Sequence, residues 1–162
     1  MLEYDFEESL GYWLTIATQG MHREFNDELA PHGLTFRQSQ VLLWLVLKEE
    51  LSQNQLAALM QIEPPTLAGV VDRMLKAGWI VRRACPNDRR KKLVRVSPKA
   101  EPVWEKIVEC ARTVRARAEE NLTPAEALEL KRLLSIVALN FATEPLLELP
   151  TSSTSSTEKA VS

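Results

Sequence analysis

Between Ser52 and Ser97 the hydrophobic period of this chain switches from helical to strand spacing, and that switch constrains the fold more than any other feature. Ahead of it, Thr35-x-x-Gln38 and Ser52-x-x-Gln55 each read as a capping box, in which the two side chains satisfy free N–H groups at a helix start. The first opens an apolar helix through Val41–Leu47. The second opens a short helix carrying Leu56, Ala57, Leu59 and Met60. Pro64 and Pro65 fit only the first turn of a further helix, where a missing N–H costs little. That helix carries Leu67, Val70, Val71, Met74 and Leu75 on its apolar side, and Gly78 is placed to cap its end. Then Trp79–Ala84 and Leu93–Ser97 turn short, β-branched and Arg-interleaved. Between them Cys85-Pro86-Asn87-Asp88 is a turn signal, followed by Arg89-Arg90-Lys91-Lys92, so a β-hairpin with a long basic tip is predicted. Two short capped helices followed by a hairpin make a helix–turn–helix with a wing.

The flanks are helical. Over residues 7–29, Leu10, Trp13, Leu14, Ala17, Met21, Phe25 and Leu29 recur at three- and four-residue steps, until Pro31 and Gly33 end the pattern. Ser97-Pro98 resembles an N-cap followed by Pro at the first helical position. The helix after it is expected to run to about Asn121, with Val103, Ile107, Cys110, Ala111 and Val114 on one side. Thr123-Pro124-x-Glu126 starts another, with Leu130, Leu133, Leu134, Val137 and Phe141 as its stripe. From Pro150 the chain is Ser/Thr-rich, and a flexible tail is expected over Thr151–Ser162. The expected fold class is mainly α with a small β-hairpin: a winged helix–turn–helix with N- and C-terminal dimerisation helices. The divisions are 1–33 and 98–145 for dimerisation, 34–97 for the winged domain and 146–162 for the tail. Apolar burial contributes roughly 25 cal/mol per Å², and a small winged domain is too small to cover both terminal stripes, so a homodimer is predicted.

Charge points to the partner. The whole chain carries −2, but residues 72–99 hold ten Lys and Arg against Asp72 and Asp88, a net +8, while the remainder holds ten basic against twenty acidic residues, a net −10. Positive potential is thus concentrated on one part of a small protein. A helix–turn–helix places its second helix in the major groove, whose edges distinguish all four base pairs. Here that helix exposes Thr66, Ala68 and Gly69 early and Arg73 later. A basic wing beside it is positioned for an adjacent minor groove, where Arg is favoured. The candidate DNA-binding set is therefore Thr66, Ala68, Gly69, Arg73, Arg82, Asp88, Arg89, Arg90, Lys91 and Lys92, with double-stranded DNA as the partner.

Other classes find little support. Cys85 and Cys110 form no disulfide framework, and no Cys/His cluster has zinc spacing. No phosphate-binding Gly-rich loop and no nucleophile–base pattern is present, so neither cofactor nor catalysis is expected. The acidic N-terminus lacks a signal-peptide pattern, and the run Val41–Leu47 is far too short to span a bilayer; a cytoplasmic protein without a membrane partner is expected. The alternative is a winged-helix protein-interaction module without specific DNA binding, which the density of Arg in the wing disfavours.

Residues 34–102 resemble the multiple-antibiotic-resistance regulator (MarR) family, especially its SlyA-like branch. The resemblance rests on Leu56-Ala57, Ile62-Glu63-Pro64-Pro65-Thr66-Leu67, Val71-Asp72-Arg73-Met74-Leu75, Gly78-Trp79-Ile80-Val81-Arg82-Arg83, Asn87-Asp88-Arg89-Arg90-Lys91 and Ser97-Pro98-Lys99-Ala100. It implies a two-fold dimer built from the first and last helices, and binding to a pseudo-palindrome near target promoters. It implies that Asp88 holds the wing by pairing with a neighbouring Arg, that Arg89 and Arg90 enter the minor groove or contact its phosphates, and that Thr66 faces DNA. Where SlyA-type relatives often carry a basic or polar side chain, this chain has Gly69, which shifts specificity toward the wing, Arg73 and DNA shape. The family is often switched by small aromatic acids or by thiol oxidation. For the first, Tyr12, Trp13, His22, Arg37 and Trp44 are candidate pocket residues, though plain core is the alternative for the aromatics. For the second, Cys85 lies near Arg82, Arg83 and Arg89, which favours thiolate, with a passive thiol as the alternative. Repression by blocking polymerase and activation by displacing another repressor are both open to such a protein.

Overall fold

The computed structural model describes residues 5–85 and 88–141, with the side chains of Cys85 and Asp88–Lys91 excepted. The turn residues Pro86 and Asn87 and the tail expected from residue 146 lie outside the described residues. The chain divides into two compact units after Ala118.

In the first unit the order is α1 (Leu10–Leu29), α2 (Phe36–Lys48), β1 (Glu50–Ser52), α3 (Gln53–Leu59), α4 (Pro64–Ala77), β2 (Ile80–Cys85), β3 (Asp88–Val96) and α5 (Glu101–Ala118); the second holds α6 (Pro124–Asn140). The fold is the expected one, mostly helical with a small antiparallel sheet. Both capping boxes close as read from the sequence: Thr35 Oγ1 accepts the Gln38 N–H while Gln38 Oε1 accepts the Thr35 N–H, and Ser52 and Gln55 repeat the arrangement. A third box, Thr123 with Glu126, opens α6 and holds the Glu126 carboxyl below the usual carboxylate range. The helix from Ser97-Pro98 starts with a 3₁₀ turn and ends at Ala118 rather than near Asn121.

Two features of the sheet differ from expectation. It has three strands in the order β1-β3-β2, because Glu50–Ser52 pairs with Leu93–Arg95. The basic run also belongs to a strand: β3 begins at Asp88, so the hairpin arm is longer than predicted and its tip shorter. Between the pairs Ala84–Lys92 and Cys85–Asp88 the register shifts, leaving Arg89, Arg90 and Lys91 without opposite residues on β2. Such a bulge bends a strand and increases its local twist.

The core of the first unit is one apolar cluster. Leu29 from α1, Val41, Leu42 and Leu45 from α2, Leu56 from α3, Leu67, Val71 and Met74 from α4, and Ile80 and Val94 from the sheet are all fully buried, with Ile107 and Cys110 of α5 joining them. Those on α1, α3, α4 and α5 are positions that the helical spacing assigns to the apolar faces. The core therefore fixes α4 against α3 and against the root of the hairpin, which is the geometry that any use of these elements depends on.

Candidate nucleic-acid interface

Three turns in the winged unit close by the same backbone pattern. After α4, the Gly78 N–H bonds to the Leu75 carbonyl and the Trp79 N–H to that of Met74. After α3, Gln61 bonds to Ala58 and Ile62 to Ala57; after the turn following α1, Gly33 bonds to Ala30 and Leu34 to Leu29. This is the Schellman closure, which needs a left-handed residue at the step beyond the helix. Gly33 and Gly78 supply it at φ 68° and 77°, and Gln61 is held there at φ 50°. The α3–α4 turn of the helix–turn–helix is thus as tight as the two glycine turns, without a glycine. No sequence signal marked it, because Gln is not a residue that favours this conformation.

With the turn closed, α4 buries Leu67, Val70, Val71 and Met74 and leaves Thr66, Gly69, Arg73 and Lys76 exposed along one line, with Ala68 half-buried beside it. These positions lie three and four residues apart, so they share a face. Glu63 precedes Pro64 and Pro65 as N-cap without a side-chain bond, so the first amides of α4 have no capping side chain.

The sheet positions the wing relative to α4. On β2, Ile80 and Arg82 share the face of the buried Val94, while Arg83 lies on the opposite face with Leu93 and Arg95. Arg82 leans past the core and its Nη2 donates to Asp72 Oδ1 of α4 at 2.8 Å. Arg83 reaches across β3 and donates through Nε and Nη2 to both carboxylate oxygens of Glu50 on β1. That bidentate bond, with added attraction from Arg95, holds the Glu50 carboxyl below the usual carboxylate range. Two consecutive arginines therefore tie β2 to α4 on one face and to β1 on the other. Sequence reading placed Arg82 in the DNA-facing set and foresaw neither of these pairings. The missing signal is long-range pairing, which no local spacing carries. Lys92 is exposed on β3. The side chains of Asp88, Arg89, Arg90 and Lys91 lie outside the described residues; their backbone forms the outer part of β3.

The five candidate pocket residues fall in three places. His22 and Arg37 line an open groove of about 540 Å³ together with Asn26, Phe36, Gln40 and Gln61. The His22 and Phe36 rings are 4.3 Å apart, and Asn26 bridges by donating to the His22 carbonyl and accepting from the Phe36 N–H. Arg37 donates to Gln40 Oε1 at 2.9 Å. Tyr12 and Trp13 instead pack edge-to-face on one another near the start of α1, and Trp44 is half-buried against the core. Cys110 is buried and its Sγ donates to the Glu28 carbonyl at 3.4 Å; burial pushes its thiol up. Among the described residues no cluster of His, Cys, Asp or Glu is placed to hold a metal, and no helix is long and apolar enough to cross a membrane.

Residues 32–91 match the sequence model of the MarR family. The chain is 32% identical to a probable transcriptional regulator from Pseudomonas aeruginosa, covering 82% of this chain and 99% of that one, with a TM-score of 0.69. A mutant of MarR from E. coli, solved in complex with operator DNA, is 26% identical over 79% of this chain and 92% of that one, also at 0.69. BpsR of Bordetella bronchiseptica, whose DNA binding is regulated by 6-hydroxynicotinic acid, is 27% identical over 85% and 98%, at 0.71. The winged fold, the family model and these relatives agree: the chain belongs to the MarR family of winged-helix, DNA-binding transcription regulators.

Proposed function

We propose that this protein is a cytoplasmic, sequence-specific regulator that binds double-stranded DNA as a homodimer on a pseudo-palindromic operator and acts as a repressor. The observation that carries the reading is the exposed line Thr66, Gly69, Arg73 and Lys76 on α4, beside a sheet whose β3 brings four successive basic residues, 89–92. A helix of this kind lies in the major groove while a basic wing reaches the flanking backbone or minor groove. The operator complex of the E. coli relative supports the same use of the fold here. Arg82 contributes indirectly, by fixing the wing through Asp72, and Asp88 acts within the wing. The motif Asn87-Asp88-Arg89-Arg90-Lys91 supports placement in the SlyA-like branch.

Dimerisation is supported by apolar surface. Leu10, Trp13, Ile16 and Met21 of α1 are about half exposed in the single chain, as are Leu130, Leu133 and Ile136 of α6. Both helices carry more apolar surface than a monomer leaves in water, and a second copy would cover it. For an effector, the groove holding His22 and Arg37 suits a small aromatic acid, with a ring against Phe36 and a carboxylate toward the Arg37 guanidinium. Regulation of the Bordetella relative by 6-hydroxynicotinic acid supports that ligand class.

The test is a competition assay with a fluorescent duplex from the DNA upstream of the protein's own gene, alongside sedimentation of the free protein. Retention of that duplex against excess random DNA, by a species of twice the chain mass, is the expected result. Equal, weak binding to both DNAs would favour a protein-interaction module instead.

A further inference from the structure

The exposed face of α4 has a vacancy that another residue fills. A Cβ built at Gly69 would meet one side-chain atom within 4 Å, Arg73 Nη1 at 3.7 Å. Helical side chains point back toward the N-terminus, so a residue covers the surface over the turn before its own Cα. Arg73 therefore lays its guanidinium over the Gly69 backbone, about 6 Å N-terminal to its own position at 1.5 Å per residue. Gly69 has no positive φ and its Cβ would meet only an ordinary contact, so the backbone does not demand glycine there.

The surroundings leave this guanidinium free for a ligand. Arg73 takes part in no ion pair among the described residues, and its neighbour Asp72 is engaged by Arg82. In the first half of α4, the exposed Pro64, Pro65 and Gly69 and the half-buried Ala68 have no side-chain donor, and the exposed Thr66 has a single hydroxyl. In a helix–turn–helix, the N-terminal part of this helix meets base edges. The only side chain offering a two-pronged donor there is Arg73, and the base edge that matches it is guanine, through O6 and N7.

We infer that Arg73 is the principal base-reading residue of this protein, reaching the surface that Gly69 leaves bare and specifying one guanine in each half-site. The inference rests on the DNA-binding reading above and adds which side chain reads which base. A phosphate contact by the same guanidinium would strengthen binding without selecting a base, and the two are separable.

The experiment is selection from duplexes with randomised half-sites, using the full chain as wild type, Arg73→Ala, Arg73→Lys and Gly69→Gln, each checked for native helix content by circular dichroism. Wild type should select a guanine at one symmetric position per half-site. Arg73→Ala should lose roughly 5- to 150-fold of discrimination at that position, the range of one bidentate pair, and keep the rest of the site. Arg73→Lys should recover affinity more than selectivity, because an ammonium lacks the planar fork. Gly69→Gln should alter preference at the same base pair. A uniform loss of affinity in Arg73→Ala with an unchanged selected site would overturn the inference and leave DNA binding standing. Failure of wild type to select any sequence would overturn both.

Discussion

Gln61 holds a left-handed backbone conformation that the α3–α4 turn requires and that its own side chain disfavours. For an L-residue this costs roughly 1–2 kcal/mol. Gln61→Gly is therefore expected to raise stability by about 1 kcal/mol, read as a higher midpoint in urea with an unchanged slope. Gly78→Ala should do the reverse, since Gly78 sits at φ 77° and an added Cβ would also press on Lys99 Cδ at 3.4 Å. At Cys110, burial raises the thiol pKa and disfavours the reactive thiolate. In a Cys85→Ser variant, which leaves Cys110 as the sole thiol, Cys110 should resist iodoacetamide in the folded protein at neutral pH and react once urea unfolds it; rapid labelling of that folded variant would contradict its placement. Legibility at this scale followed residue type. Gly33 and Gly78 announce their turns, while Gln61 takes the same role invisibly because the hydrogen-bond closure, not the side chain, selects its conformation.

Among the elements, the helices were legible and the sheet only partly so. Capping boxes and apolar spacing mark α2, α3 and α6 from a few local residues. β1 is three residues long and ends on Ser52, the cap of α3, so the helical signal hid it; it exists because β3 offers it an edge. The wing's attachment was equally hidden, because Arg82–Asp72 and Arg83–Glu50 join residues 10 and 33 positions apart. If the Arg82–Asp72 pair orients the wing, Arg82→Asp should weaken DNA binding, and adding Asp72→Arg should restore a good part of it. A phosphate-contact role for Arg82 predicts no such rescue, and quantitative binding of the single and double variants separates the two. The Glu50 carboxyl is depressed by Arg83, so its contribution is complete above the ordinary carboxylate range and is lost as pH falls through the depressed value. Wild type should exceed Glu50→Gln in thermal midpoint at neutral pH, by a small margin as befits an exposed pair, and the two should converge in acid.

For the whole molecule, charge asymmetry and apolar stripes reach beyond the single chain. The stripe on α1 is split: Leu29 is buried and Phe25 packs against the core, while Leu10, Trp13 and Met21 stay about half exposed. The sequence showed one continuous stripe and had no means of saying which half the chain itself covers. If the exposed half and α6 bury against a second copy, Trp13→Glu and Leu133→Glu should each shift sedimentation toward the monomer and weaken operator binding together. The central claim is that a basic wing and an α4 face engage DNA phosphates and bases in two copies at once. It is tested most directly by the operator affinity measured across a salt series. With about three phosphates neutralised per subunit, counterion release gives a log–log slope of roughly −5. A slope near that value would support a dimer gripping the duplex through its wings, and an affinity indifferent to salt would contradict it.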